Sequence, residues 1–593
     1  MKQFFGAFFG SIIGIIIATI VAVLIIVGVV KSSFNETFKK EDKETVAKSN
    51  TILKLVLNGA IVDREKEDPL AELKGLAPMS NNEEKMGLNI LLKKIENAKA
   101  DEKVKGIYLY CKDVDGGFAS IEELRNVLLD FKKSGKFIYA YSEAYGNKEY
   151  YLASTANKIF LNPQGAMEWK GLSMSLLFFK GAFDKLGLDV QVFRHGKFKS
   201  AIEPFILDKM SDANRLQSET FLNSIWNSML TGISDSRKIT KDGLNELANN
   251  LKINFPEDAI KANLVDVAAY EDEVLAELKK KTGVAEKDKL SFISIDKYNF
   301  KPKTTVTAKA DKIAVIYAEG SIESGEGDDE KIGSDKIAAT IKEARLDDKI
   351  KAIVLRVNSP GGSALASDVI WREMTLAKKA KPTIVSMGNL AASGGYYISC
   401  AADRIFAQPN TITGSIGVFG MIPNMQKALQ DKLGITVDTV NTNKHSDVGS
   451  TLRAVSKEEY NYIQTSVEKV YDIFTKRVAE GRKITQANVD SIGQGRVWSG
   501  ADALKINLVD ELGGLNDAIA YAAKKANVKD YKLVELPKQT NPFDKWLGKV
   551  EKDAEARIME RNLGFTYTFF KQLQDVIKLK GVQARLPFEM LID

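Results

Sequence analysis

The first apolar run, Phe4 to Val30, contains no charged residue, and only Ser11 and Thr19 bring hydroxyls to a stretch of Ile, Val, Phe, Gly, Ala and Leu. It exceeds the ~20 residues with which a helix crosses a bilayer. A cleaved secretory signal has a shorter apolar core and a small-x-small site; Val27-Gly28-Val29-Val30-Lys31 offers no such site. The pattern predicts an uncleaved transmembrane anchor over 4–30, behind a short flank (1–3) and ahead of a polar tether (31–50). Lys2 lies on one side of the run and Lys31, Lys39 and Lys40 on the other, so flanking charge leaves the orientation undecided.

Beyond the tether the pattern changes to short apolar runs alternating with amphipathic helical stretches. ILKLVLNGAIV from Ile52, GIYLYC from Gly106 and KFIYAYS from Lys136 are answered later by KIAVIYAEGSI from Lys312, AIVLRV from Ala352 and PTIVSMG from Pro382. This alternation predicts βαβ units and a mainly parallel sheet, an α/β fold, in each half. Ligands of such sheets bind at the carboxyl ends of strands, so the chemistry is expected just after Val357 and Gly388.

The two halves are copies. AYGNKEYYLASTANKIFLNP from Ala144 matches LAASGGYYISCAADRIFAQP from Leu390, with Tyr150-Tyr151 in register with Tyr396-Tyr397. DKLG recurs at Asp184 and Asp431, RKIT at Arg237 and Arg482, NLVD at Asn263 and Asn507. Offsets so nearly constant mean a duplication, and the period is far too long for a solenoid of ~20–50-residue repeats. The expected organisation is a first repeat over 51–285, a Lys-rich connector over 286–310, a second repeat over 311–538 and an extension over 539–593 with no partner in the first half.

Composition narrows the chemistry. The 593 residues are 44% hydrophobic and 27% charged, the profile of a folded chain. Its 84 basic and 78 acidic side chains leave +6, too dispersed for a nucleic-acid footprint. Cys111 and Cys400 stand far apart, which excludes a disulfide framework and any CxxC site. With only His195 and His445 beside them, no metal centre and no cofactor are expected. Any general base is expected to be something other than histidine.

Ser393 stands between small residues in Ala391-Ala392-Ser393-Gly394-Gly395 at a strand-to-helix turn. There a hydroxyl is unobstructed and the Gly394 amide lies beside it, as a nucleophile requires, although a helix cap would look the same. The first half has Asn147 at the matching position, so only the second half is armed. Asn358-Ser359-Pro360-Gly361-Gly362-Ser363 provides a turn whose amides can point into a cavity. With histidine scarce, lysine is the next candidate base. Gly196-Lys197-Phe198-Lys199 provides two, and the DKLG register sets Lys199 opposite Ser446. A lysine serves only if buried, since from pKa ~10.4 to pH 7 the neutral form costs roughly 4.6 kcal/mol. Spacing alone does not choose Lys199 over Lys197.

Taken together, the anchor, the tandem halves, GKFKSAIEPF (196–205), NSPGGS (358–363), AASGGYYIS (391–399) and TGSIGVFG (413–420) resemble the signal peptide peptidase A family, in its long two-domain bacterial form. The likeness runs from the anchor to about Pro537. It implies two tandem crotonase/Clp-like domains, with Ser393 as nucleophile, Lys199 as general base, Ser415 orienting the lysine amine, and Gly361 and Gly362 with Gly394 lining an oxyanion hole. It also implies a membrane-anchored serine endopeptidase acting on cleaved signal peptides and other hydrophobic peptides. Its expected setting is a homo-oligomer, a homotetramer by the family pattern, held by residues 4–30 in the lipid bilayer of a bacterial inner membrane with its body on the periplasmic side. The rival expectations are an acyl-CoA enzyme of the same fold and a non-catalytic peptide-binding membrane scaffold. His195, four residues before Lys199, has no role that the sequence supplies.

Overall fold

The computed structural model of the chain describes residues 46–65, 85–300, 310–328, 330–539 and 582–585. The expected anchor (4–30), most of the tether, the end of the connector (301–309) and most of the C-terminal extension lie outside the described residues. No helix among the described residues is long and apolar enough to cross a membrane.

Each half is built on a parallel sheet. In the first, the strands run in the order Lys85–Gly87, Thr51–Val62, Val104–Asp115, Phe137–Tyr145, Lys158–Met167, Val267–Ala268. In the second, Tyr531–Leu536, Asp311–Glu319, Ile350–Ser359 and Thr383–Ala392 lie side by side in parallel, and Ile412–Gly414 continues the sheet toward an antiparallel edge at Val497–Ser499.

The unbroken apolar runs follow from burial on both faces. Along Asp311–Glu319, Ala314, Ile316 and Ala318 enter one core with Ile353, Leu355 and Val357. The alternate residues Ile313, Val315 and Tyr317 enter another, capped by the helix Leu515–Lys525. The first half repeats this, with Leu53, Leu55 and Leu57 on one side and Ile52, Tyr108 and Tyr110 on the other.

The sequence repeat has a structural counterpart. Each RKIT ends a long helix on a left-handed lysine, Lys238 or Lys483, before Thr240 or Thr485 caps the next helix. In each NLVD the aspartate accepts from a strand amide, Asp266 from Ile159 at 2.7 Å and Asp510 from Ile405 at 2.8 Å. Arg237 and Arg482 pair with those two aspartates.

Two features differ from the sequence expectation. Phe292–Ser294, within the expected connector, is a strand paired in parallel with Ile52–Lys54, so part of the connector belongs to the first sheet. A third, smaller sheet runs in the order Lys331–Gly333, Ser321–Glu323, Gly361–Ser363, Gln583–Arg585, Val418–Asn424, Asp189–His195. Its last two strands pair antiparallel from Val418↔His195 to Asn424↔Asp189, which carries a segment of the first half onto the second. The halves are also joined by Arg356, 1% exposed, whose guanidinium lies 2.6 Å from Asp63 and 2.7 Å from Glu123. Asn389 adds bonds to Ser120.

Candidate active site

The strand Thr383–Ala392 ends at Ser393, whose φ of 56° and ψ of −113° are unusual for a residue with a Cβ. That turn is held by the Ser393 amide donating to Gly414 O at 2.8 Å, and the helix Gly394–Ser399 begins immediately after it. The two glycines of the motif are there because that helix presses on the helix Ala364–Ala380 and on the end of the strand Ile350–Ser359. A Cβ on Gly394 would lie 2.6 Å from Ser367 Oγ, and one on Gly395 2.7 Å from Ser359 O. The hydroxyl of Ser393 is buried and within 3.3 Å of Gly417 O.

The amine arrives from the other half. After the strand Asp189–His195 the chain turns at Gly196, and Phe198 N donates to Gln494 O at 3.0 Å. Gln217 Nε2 donates to Phe198 O and Ser200 Oγ, while its oxygen accepts from Val497 N. Thus clamped, Lys199 is 1% exposed and its Nζ sits 2.9 Å from Ser393 Oγ. The amine also donates to Ser415 Oγ at 3.1 Å and Ser415 O at 3.4 Å. The Phe419 ring centroid is 5.9 Å from it. Burial, with no carboxylate contributing, lowers the amine from 10.5 to about 7. Lys197, two residues earlier, is exposed.

Ser415 has a φ of 49° and is fixed by its amide donating to Arg496 O at 2.7 Å. Gly361, at φ 94°, bends the Asn358–Ser363 segment toward the serine, and the point its Cβ would fill lies 2.6 Å from the Gly394 amide nitrogen. The Gly361 amide donates to Ser359 Oγ at 3.1 Å. Gly362 pairs with Ile322 on one side and Ala584 on the other. The Gly394 amide belongs to a first helical turn, whose N–H groups have no carbonyl a turn back. Lys199 is thus within hydrogen-bond reach of Ser393 and of Ser415, with Gly361 packed against Gly394 beside the serine, while Gly362 lies one residue further along, between Ile322 and Ala584.

The remaining candidates lie apart. His195 stacks on Tyr471 with ring centroids 3.7 Å apart and pairs with Glu468; His445 pairs with Glu459. Ser446, opposite Lys199 in the repeat, bonds to Asn443 in an exposed loop. Asn147, opposite Ser393, donates to Gly171 O at 2.9 Å. Among the described residues no group of His, Cys, Asp and Glu could hold a metal ion.

One residue that shapes the site was not foreseen. Gly495, at φ 81°, passes so close that a Cβ there would lie 2.7 Å from the Lys199 backbone and Cβ. Its signal was the Gly493-Gln494-Gly495 run, which has no glycine at the matching place in the first half.

The description of peptidase family S49 matches residues 130–285 and again 375–529, so both repeats carry it, and that of Clp protease matches 306–414. Protease 4 of Salmonella typhi is 38% identical over 497 residues, covering 81% of this chain and 79% of that one. Protease 4 of Haemophilus influenzae is 36% identical, covering 83% and 82%. The chloroplastic serine protease SPPA of Arabidopsis thaliana is 35% identical, covering 82% and 72%. With two family matches in register with its internal repeat and relatives similar over most of their length, the chain belongs to peptidase family S49.

Proposed function

We propose that the chain is a serine endopeptidase in which Ser393 is the nucleophile and Lys199 its general base. The observation that carries this reading is a buried amine 2.9 Å from a buried hydroxyl, with no carboxylate to hold the amine charged. A neutral amine has two hydrogens and one lone pair. Ser415 O and Oγ accept the two hydrogens, which leaves the lone pair for the Ser393 hydroxyl. Ser415 is the orienting group in this arrangement.

Ser393 Oγ attacks the peptide carbonyl carbon while its proton passes to Lys199 Nζ. The oxyanion lies among the amides of Gly394, Gly361 and Gly362, with Gly361 turning from Ser359 Oγ to meet it. Collapse breaks the C–N bond as the lysine returns the proton to the leaving amine. Water, deprotonated by the same lysine, then hydrolyses the acyl-enzyme.

The substrates in this reading are cleaved signal peptides and other hydrophobic peptides. The enzyme is tethered through residues 4–30 in a bacterial inner membrane, with its body on the periplasmic side and assembled as a homo-oligomer. The apolar run supports the tether, and the exposed side chains Leu433, Ile435, Val437 and Val440 fit burial between subunits.

The test is hydrolysis of a signal-peptide-derived substrate in detergent micelles by the full chain, Ser393→Ala and Lys199→Ala. Both variants are expected to lose at least a thousandfold in kcat/KM with unchanged assembly size. Retained turnover contradicts the pair. A folded wild type that binds the peptide uncut and never reacts with a fluorophosphonate supports the scaffold instead.

A further inference from the structure

The loop that carries Lys199 rests on a turn, Gly493-Gln494-Gly495-Arg496, and the same turn holds Ser415. Phe198 N donates to Gln494 O at 3.0 Å, Gly495 N donates to Ile416 O at 2.7 Å, and Ser415 N donates to Arg496 O at 2.7 Å. A Cβ on Gly196 would lie 2.4 Å from Gln494 O, so the loop and the turn are in direct contact. Where the turn sits therefore sets where the amine meets Ser415. Gln494 takes a φ of 50°, in the left-handed region that a residue with a Cβ keeps only where surrounding bonds hold it.

Tyr471, buried on the helix Lys457–Arg482, supplies such a bond. Its hydroxyl donates to Asp490 Oδ1 at 2.6 Å and accepts from Gln494 N at 3.2 Å. Its ring carries the stacked imidazole of His195, the residue just before Gly196, and His195 pairs in turn with Glu468 on the same helix. One tyrosine thus touches the entry of the lysine loop through its ring and the turn beneath the loop through its hydroxyl. Burial, and then the Asp490 carboxylate beside it, push the phenol above its ordinary value, so the hydroxyl keeps the hydrogen it donates.

The first half shows what the hydroxyl adds. The helices Asp212–Arg237 and Lys457–Arg482 both end on the RKIT arginine, and counting from it sets Trp226 opposite Tyr471 and Asn245 opposite Asp490. Trp226 Nε1 donates to Asn245 Oδ1 at 2.7 Å, so the donated bond is common to both halves. An indole N–H only donates, whereas a phenol oxygen donates and accepts. The accepting function appears in the half whose turn supports the lysine, and Trp226 cannot supply it. We propose that Tyr471 is a positioning residue for the catalytic amine, its hydroxyl fixing the Gly493–Arg496 turn and thereby the placement of Lys199 between Ser393 and Ser415. The inference rests on Ser393 and Lys199 being the catalytic pair, and Tyr471 acts through the turn rather than on the reacting atoms.

The experiment compares the full chain with Tyr471→Phe, which keeps the ring under His195 and removes the hydroxyl, and with Trp226→Phe, which removes the corresponding donated bond in the first half. Asp490→Ala is a second route to the same loss, since it frees the hydroxyl to turn away from the Gln494 amide. Three readings are taken on each: kcat and KM at pH 9 on a signal-peptide-derived substrate, the pH profile of fluorophosphonate labelling, and a thermal melt.

Tyr471→Phe and Asp490→Ala are expected to lose about tenfold in kcat with KM unchanged, a loss in keeping with a slightly misplaced catalytic group. Their labelling ionisation should move up by about one pH unit as the amine gains water. Trp226→Phe should keep the wild-type kcat and ionisation whatever its melting temperature. Wild-type kcat and ionisation in Tyr471→Phe, or equal losses in Trp226→Phe, overturn the positioning role. If Tyr471→Phe does not fold, the same readings on Asp490→Ala decide. A folded wild type that neither turns over nor labels overturns the catalytic reading and the inference with it, a result distinct from these.

Discussion

Replacing Lys199 with methionine isolates the energetic cost of placing this amine where it is. Methionine keeps an unbranched stem against Phe419 and Gly495 but has no titrating group. In the unfolded chain a lysine binds its proton with an ordinary pKa of about 10.5, whereas burial lowers Lys199 to about 7. At ~1.4 kcal/mol per pH unit, the folded state forfeits about 5 kcal/mol relative to an exposed lysine below pH 7, where both states are protonated.

Because the folded value is the lower one, the unfolded state binds more protons between pH 7 and 10.5, and wild-type stability rises with pH across that window. The penalty is complete below pH 7 and gone above 10.5. Losing the bonds to Ser415 and Ser393 offsets ~2 kcal/mol. Lys199→Met is therefore expected to be inactive yet more stable than wild type by about 2 to 3 kcal/mol at pH 6. That is a rise of roughly 4 to 12 °C in melting temperature for a half of this size. Between pH 7 and 9 the advantage should shrink by ~3 kcal/mol and vanish. Thermal melts of both proteins at pH 6, 7, 8 and 9 provide the comparison. An increment that stays flat with pH, or a variant that melts below wild type at pH 6, refutes the claim that this lysine is held uncharged by burial.

Two further substitutions test the frame that holds the pair together. Gly495→Ala puts a Cβ 2.7 Å from the Lys199 backbone at a φ of 81°. It should cost ~2 kcal/mol in stability and more than tenfold in kcat by moving the amine off Ser393, read from melts and initial rates. Arg356→Met leaves the buried carboxylates of Asp63 and Glu123 without their cation. A loss of about 3 to 5 kcal/mol is expected, recovered in large part by adding Asp63→Asn and Glu123→Gln; a melt unchanged by Arg356→Met would contradict the pairing between halves.

The parallel sheets were legible because burial on both faces writes unbroken apolar runs such as AIVLRV, and the duplication because NLVD and RKIT each hold a turn and an ion pair that recur. The third sheet was not. Asp189–His195 pairs with Val418–Asn424 across more than two hundred residues of chain, and local pattern carries no information about so distant a partner. The same gap left Lys197 and Lys199 undecided by spacing. Burial separates them, and burial depends on Gly495 and Gln217, which arrive from elsewhere in the chain. The strand Gln583–Arg585 was illegible for a related reason: three residues without an apolar period form a strand only because two others wait on either side.

The central claim, that a neutral Lys199 activates Ser393, is tested most directly by the rate of fluorophosphonate labelling of Ser393 as a function of pH. The account predicts that the second-order rate constant rises through a single ionisation near 7, as burial sets for the amine. It should level off about one pH unit above that, and in Lys199→Ala it should fall at least a hundredfold and lose the ionisation. A wild-type profile flat from pH 5 to 9, or Lys199→Ala labelling at the wild-type rate, would contradict it.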